Sequence, residues 1–195
     1  MLLILLPLCG NIDYVLGLWL VDVPAHTANF VVLVLLYSLL DGILTPIAIG
    51  VFAQGEIKAY EIALCIIYAV NFIASYVCLK LGMAPETVFV LNIAFKACVL
   101  ADLLVHSKAK YAFPVHAFLK QCLLPSAVVF VLSGAFTYFM PWEAPNSFWE
   151  FLLHTLAIII CTSLMALAIG MTKGERLFLK KNLRDKITVK LYRKI

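Results

Sequence analysis

Six stretches of this chain are apolar over close to the length that a lipid bilayer demands. A helix rises about 1.5 Å per residue, so a hydrocarbon core of about 30 Å needs about 20 apolar residues. The stretches are 1–18, 29–52, 60–79, 86–105, 115–139 and 147–171. The first is short and is interrupted by Asn11 and Asp13. Composition closes off a soluble alternative: 64% of the residues are hydrophobic and 13% are charged, too little polar surface for a soluble domain of this length. The expected fold is all-α and membrane-integral, with about six transmembrane helices over 1–171 and a separate tail over 172–195. The connections 19–27, 53–59, 80–85, 106–114 and 140–146 are short. Pro24, Pro85, Pro114, Pro141 and Pro145 fall in or beside them, where they interrupt no helix. There is no internal repeat and no low-complexity tract.

Charge sets the expected orientation. Nine of the 15 Lys and Arg come after Met171, and a basic segment beside a membrane marks the cytoplasmic side. With the tail inside, the connections holding Lys58, Lys108 and Lys110 are also inside. The outer connections carry only Lys80. Within the tail, Leu177, Leu179, Leu183, Ile187 and Leu191 can form one helical stripe between basic residues. That pattern suits an amphipathic segment on the inner leaflet, in contact with anionic membrane lipids, or a solvated continuation of the last helix. Nucleic acid is not an expected partner, because no basic and aromatic face runs through the chain. The apolar run opening at Met1 has no preceding Lys or Arg, so it reads as part of a transmembrane helix rather than a signal peptide.

Ionisable groups at mid-membrane cost about 2.5–3.5 kcal/mol on insertion scales, so they face a partner or a wet cavity. Asp41 lies about eleven residues from the inner end of its helix and Lys96 about ten from the inner end of its own, which sets both at similar depth. They either neutralise each other as a structural ion pair or line a substrate or coupling-ion pathway. Gly42 and Pro46 flank Asp41, and Pro46 and Pro125 each withdraw a backbone hydrogen bond inside a helix. Pro46 therefore joins Asp41 and Lys96 as a pathway candidate. Glu150 and His154, spaced i, i+4, share a helix face near its outer end. They make an interfacial pair, or half of a metal site that lacks a third ligand nearby in sequence. Lys120 opens the fifth long helix beside His116 and Gln121, within reach of a lipid phosphate. Asp102, one turn from the end of its helix, is expected to reach interfacial water.

No catalytic constellation is present: no G-x-S-x-G, P-loop, H-E-x-x-H or Asp-rich phosphate motif. The six cysteines all lie in apolar segments without a C-x-x-C pair, as small core residues do. Neither an enzyme nor a cofactor or metal site is expected. A membrane glycosyl- or acyltransferase is opposed by the short connections.

Four short motifs carry a resemblance. Leu18-Trp19-Leu20-Val21-Asp22-Val23-Pro24 resembles a Leu-Trp-Leu-Gly-x-x-Pro sequence. Ala53-Gln54-Gly55-Glu56-Ile57-Lys58-Ala59-Tyr60 resembles Ala-x-Gly-x-Ile-Lys-x-Tyr. Leu79-Lys80-Leu81-Gly82 with Pro85-Glu86 is the third, and Gly170-Met171-Thr172-Lys173-Gly174-Glu175-Arg176 with Phe178 resembles Gly-Leu-Thr-x-x-Glu-Arg-x-Phe. In order and spacing these are similar to the Wzx-type polysaccharide and O-antigen flippases of the MOP (MATE-like) superfamily. The resemblance implies the C-terminal lobe of such a transporter, beginning within a helix and completed by an N-terminal lobe or a second copy. It implies movement of an undecaprenyl-pyrophosphate-linked oligosaccharide across the bacterial inner membrane, for O-antigen or capsular polysaccharide, with other polysaccharide-assembly proteins as partners. Lys96 would then meet the pyrophosphate as a point charge. The chain departs from the family at Asp102-Leu103, where many relatives carry Arg-Leu. A multidrug exporter of the same superfamily and a non-transporting membrane scaffold or remnant are the rival readings.

Overall fold

The computed structural model describes residues 1–53, 55, 57–111, 113–139, 145 and 147–170, with backbone alone at 110 and 111. The basic tail over 172–195 lies outside the described residues, as does most of the connection 140–146. The described helices are, in order, α1 (Leu2–Gly10), α2 (Ile12–Trp19), α3 (Thr27–Phe52), α4 (Lys58–Lys80), α5 (Glu86–Tyr111), α6 (Val115–Phe139) and α7 (Phe148–Gly170). Each of α3 to α7 is long and apolar enough to cross a membrane, and the described residues contain no strand. The protein is an all-α, multi-pass membrane protein.

The first apolar stretch differs from the straight span expected of it. It folds as α1 and α2, bent by 80°. Asn11 accounts for the break. Its backbone N–H turns to the Leu8 carbonyl at 3.4 Å, while its side-chain Nδ2 donates to the Pro7 carbonyl at 3.0 Å. The side chain supplies the bond that a continuing helix would take from the backbone, and so the chain can change direction without leaving that buried carbonyl unpaired. Asn11 is buried despite its amide. The bent pair makes a sixth span only if its two pieces cross together.

Two other boundaries have local causes. The helix expected to end at Val105 continues as α5 to Tyr111, because Ser107, Lys108 and Ala109 do not oppose a helix and Pro114 is the first residue that does. In α6, Pro125 offers no N–H to the preceding turn. The backbone opens into a π-helical turn over Leu119–Leu123 directly before it, the widening that relieves such a clash. Between α4 and α5 the chain reverses at Gly82, whose φ of 76° lies in the left-handed region. Gly82 N donates to Leu79 O at 3.0 Å and Met83 N to Cys78 O at 3.2 Å. These are the paired bonds of a Schellman ending, in which glycine carries no Cβ penalty.

Six of the seven described helices form two groups of three, and α2 touches both α1 and α3. In one, α5 packs on both α3 and α4. Its core is Leu44, Ile47, Ala48 and Val51 of α3, Tyr60 of α4, and Val99, Leu100 and Leu103 of α5. In the other, α1 packs on α7 and α6 around Leu5, Leu6 and Ile158. Leu35 and Leu39 of α3 touch this second core and join the groups. The close approach of α1 depends on Gly10. A Cβ there would sit 2.8 Å from Thr137 Cγ2 and 3.3 Å from Ile158 Cδ1. Thr137 cannot easily rotate away, since its hydroxyl donates to the Ser133 carbonyl at 2.9 Å.

Gly10→Ala is therefore expected to lower stability by about 1 kcal/mol or more, as overpacking of a close contact does. Gly134→Ala, which meets nothing within 4 Å, should cause no loss. Thermal unfolding of both variants in detergent, followed by circular dichroism, checks the difference.

Candidate functional site

The contact between α3 and α5 is built as a ladder. At one end, His26 Nδ1 meets Glu86 Oε1, and Asn29 Nδ2 donates to the same carboxylate oxygen at 3.3 Å. One turn inward, Phe30 and Phe89 pack with ring centroids 5.2 Å apart. In the middle, Lys96 Nζ lies 2.6 Å from Asp41 Oδ1 and 5.0 Å from the Tyr37 ring centroid. Beyond it the aliphatic core closes the far half. These rungs show that α3 and α5 run side by side in the same direction, with α4 returning between their ends.

The central rung is the candidate site. Its two members differ sharply in exposure: the Lys96 side chain is 8% accessible and that of Asp41 is 48%. An ammonium sealed among helices needs its charge answered locally, since an unpaired buried charge is costly. Asp41 supplies the opposite charge. The face of Tyr37 adds a cation–π contact on the same helix. The open flank of Asp41 adjoins small and polar groups. Gly42, Thr45 and Pro46 lie beside it on α3, with Gly42 and Thr45 exposed, and the Thr45 hydroxyl donates to the Asp41 carbonyl at 2.8 Å. Pro46 has no N–H to give the Gly42 carbonyl, so the helix backbone is also under-bonded beside the carboxylate.

A second polar contact crosses from α5 to α4. Asn71 Nδ2 donates to Asn92 Oδ1 at 2.6 Å, and the Ser75 hydroxyl donates to Asn71 Oδ1 at 3.3 Å. Asn92 stands one turn before Lys96 on α5. This helix thus holds α4 with an amide and α3 with a charge, at adjacent levels.

The structure brings together Asp41 and Lys96, with Pro46 just beyond Asp41 on α3. Glu150 and His154 lie apart from them, on the first turns of α7 in the other helix group. Lys120 is exposed on the π-helical turn of α6. Among the described residues, no three His, Cys, Asp or Glu side chains gather in a way that could hold a metal ion. Asp102, expected to reach interfacial water, is half-buried on α5, and its Oδ2 is buried with no hydrogen-bond partner among the described residues. Sequence reasoning missed Tyr37, the Asn71–Asn92 pair and the His26–Asn29–Glu86 cluster. The two asparagines carried a legible signal, an amide within an apolar helix. Tyr37 carried none, since an aromatic residue in such a helix is ordinary.

Chemically, the arrangement is a cation buried between two long apolar helices and answered by one carboxylate. The unequal burial makes the two partners unequal in stability. Asp41→Asn leaves the sealed ammonium unpaired and is expected to destabilise strongly, in the range of about 3–5 kcal/mol for a broken buried pair. Lys96→Met leaves a carboxylate with an open flank and should cost clearly less. The double variant should recover most of the loss of Asp41→Asn. Thermal or denaturant unfolding of the three proteins in one detergent measures this cycle.

Compared with known proteins, the chain matches no family model, no curated protein and no solved structure.

Proposed function

We propose that this multi-pass protein moves a lipid-linked oligosaccharide across the bacterial inner membrane, without chemical conversion, as part of a polysaccharide flippase. The observation that carries the reading is Lys96: a lysine sealed at mid-membrane and held by a carboxylate that is itself half open. Intramembrane ionisable groups of this kind mark substrate and ion pathways. The four motifs that resemble Wzx-type flippases support the same substrate class, an undecaprenyl-pyrophosphate-linked sugar whose phosphates would meet Lys96 after displacing Asp41. Pro46 and the under-bonded turn beside it suit a helix that borders such a path. The basic tail then faces the cytoplasm, and an N-terminal lobe or a second copy completes the passage.

A second reading has its own support. Lys96 is almost closed off and already paired, as expected of a bond that only holds α3 to α5 in a membrane scaffold.

One set of variants separates the two readings in cells that display the polysaccharide. Lys96→Ala at equal protein level should reduce surface polysaccharide by roughly tenfold or more, the effect of losing about 1.4 kcal/mol of ligand interaction. Normal display in that strain would sink the transport role. The charge exchange Asp41→Lys with Lys96→Asp keeps the pair and moves the cation to α3. A scaffold regains function with this exchange, whereas a flippase that uses Lys96 remains defective.

A further inference from the structure

We infer that α2 and the residues after it, 18–23, lie flat in the boundary layer of the bilayer and anchor one end of the bundle among the headgroups of electrically neutral lipid. The anchor is the same for a flippase and for a scaffold, so it is independent of what Lys96 does.

Length and direction keep α2 from extending α1 across the bilayer. The two helices have 9 and 8 residues, about 14 Å and about 12 Å of helix. With a bend of 80° between them, α2 adds only about 2 Å along the direction of α1, where a core of about 30 Å has to be crossed. Both ends of the segment are instead pinned at one level. The Tyr14 ring stacks on Phe151 with centroids 5.0 Å apart, in the first turn of α7. His26, directly before α3, meets Glu86, the first residue of α5. Residues 14–26 therefore run across the end of the bundle at which α3, α5 and α7 begin.

Exposure and charge identify what covers this segment. The same end of the bundle is belted with aromatic side chains: Tyr138 and Phe139 close α6, and Phe148 and Trp149 open α7, all of them exposed. Such rings collect at the membrane–water boundary, where one edge is apolar and the other wet. Trp19, 83% accessible, continues the belt, and Leu18, Leu20, Val21 and Val23 around it are exposed as well. In water these five side chains would form a costly apolar patch. The lipid around the exposed flanks of the spanning helices reaches them without a break. Helix α2 is also two-sided, as a helix in the boundary layer must be: Asp13 and Gly17, at i and i+4, share the face that suits water, and the rest of the helix is apolar. The charges select the lipid. No Lys or Arg precedes Lys58, and Asp13 and Asp22 are exposed. The segment thus holds by apolar contact and has no attraction for anionic headgroups.

The test reads the depth of Trp19 in the full chain, held in nanodiscs of phosphatidylcholine that carries bromine either just below the headgroups or near the ends of the acyl chains. Trp142→Phe with Trp149→Phe leaves Trp19 as the one tryptophan. Shallow bromines should quench its fluorescence at least about twofold more than deep ones, as for a ring about 5–10 Å into the boundary. The ratio should be unchanged when part of the lipid is phosphatidylglycerol. Equal or stronger quenching by the deep bromines would mean that α2 enters the core. Quenching by aqueous acrylamide and by neither bromine would mean that the segment stands in water. Either result overturns the inference. A shallow position reached only with phosphatidylglycerol would overturn the assignment to neutral lipid. If the double variant does not fold, the same ratio is taken from the wild type minus Trp19→Phe, a difference in which Trp142 and Trp149 cancel.

Discussion

The bond between Lys96 and Asp41 governs how this molecule is assembled. Inside a bilayer, helices gain little from hiding apolar surface, because lipid tails are as apolar as leucine. Association must come from close packing and from polar groups that have nowhere else to go. Helix α5 has both. Its sealed ammonium pairs with α3 at 2.6 Å, its Asn92 accepts from α4 at 2.6 Å, and Val99, Leu100 and Leu103 fill the core beyond. The helix with the most buried polar chemistry is thus the one around which its group is built. The second group of helices uses the other means, the approach of α1 permitted by Gly10.

The unequal exposure of the two charged partners links this architecture to function. A pair made only to fasten two helices gains most when both charges are shut in and fully hydrogen-bonded. Here one is shut in and the other is 48% accessible, beside Gly42, Thr45 and Pro46. That leaves the carboxylate open on the flank of α3, while the ammonium paired with it is shut in. The same geometry fastens α3 to α5 and, under the proposed function, would also bind; the two roles diverge once the carboxylate is exchanged.

Much of the fold was legible because apolar length is a coarse and strong signal. Helices α3, α4, α6 and α7 lie within a few residues of the stretches that hydropathy marks. Asp41 and Lys96 were legible as polar outliers at matching depth. What was not legible depended on contacts between distant parts of the chain. The 80° bend is made by one amide that satisfies a carbonyl four residues back, and nothing in the composition of 1–18 separates that outcome from a tolerated polar residue. The burial of Asp102 Oδ2 likewise depends on neighbours that spacing along one helix cannot supply. Tyr37 acquires its role only because α5 places an ammonium above its ring.

The placement of polar contacts also determines which parts of the molecule hold a fixed register. Between α3 and α5, the rungs at His26–Glu86, Tyr37 and Asp41–Lys96 occupy successive levels of two parallel helices. A slide of one turn, about 5.4 Å, would break all of them together, so this interface is specified along its length. Where α3 meets the other group, Leu35 and Leu39 pack against the cluster of Leu5, Leu6 and Ile158. Such aliphatic surfaces set no register, because neighbouring leucines are interchangeable partners. Asp41 stands on the one helix common to both interfaces. A substitution at Asp41 therefore acts on the specified interface directly, through Lys96, and on a helix whose other interface is held by aliphatic contact alone.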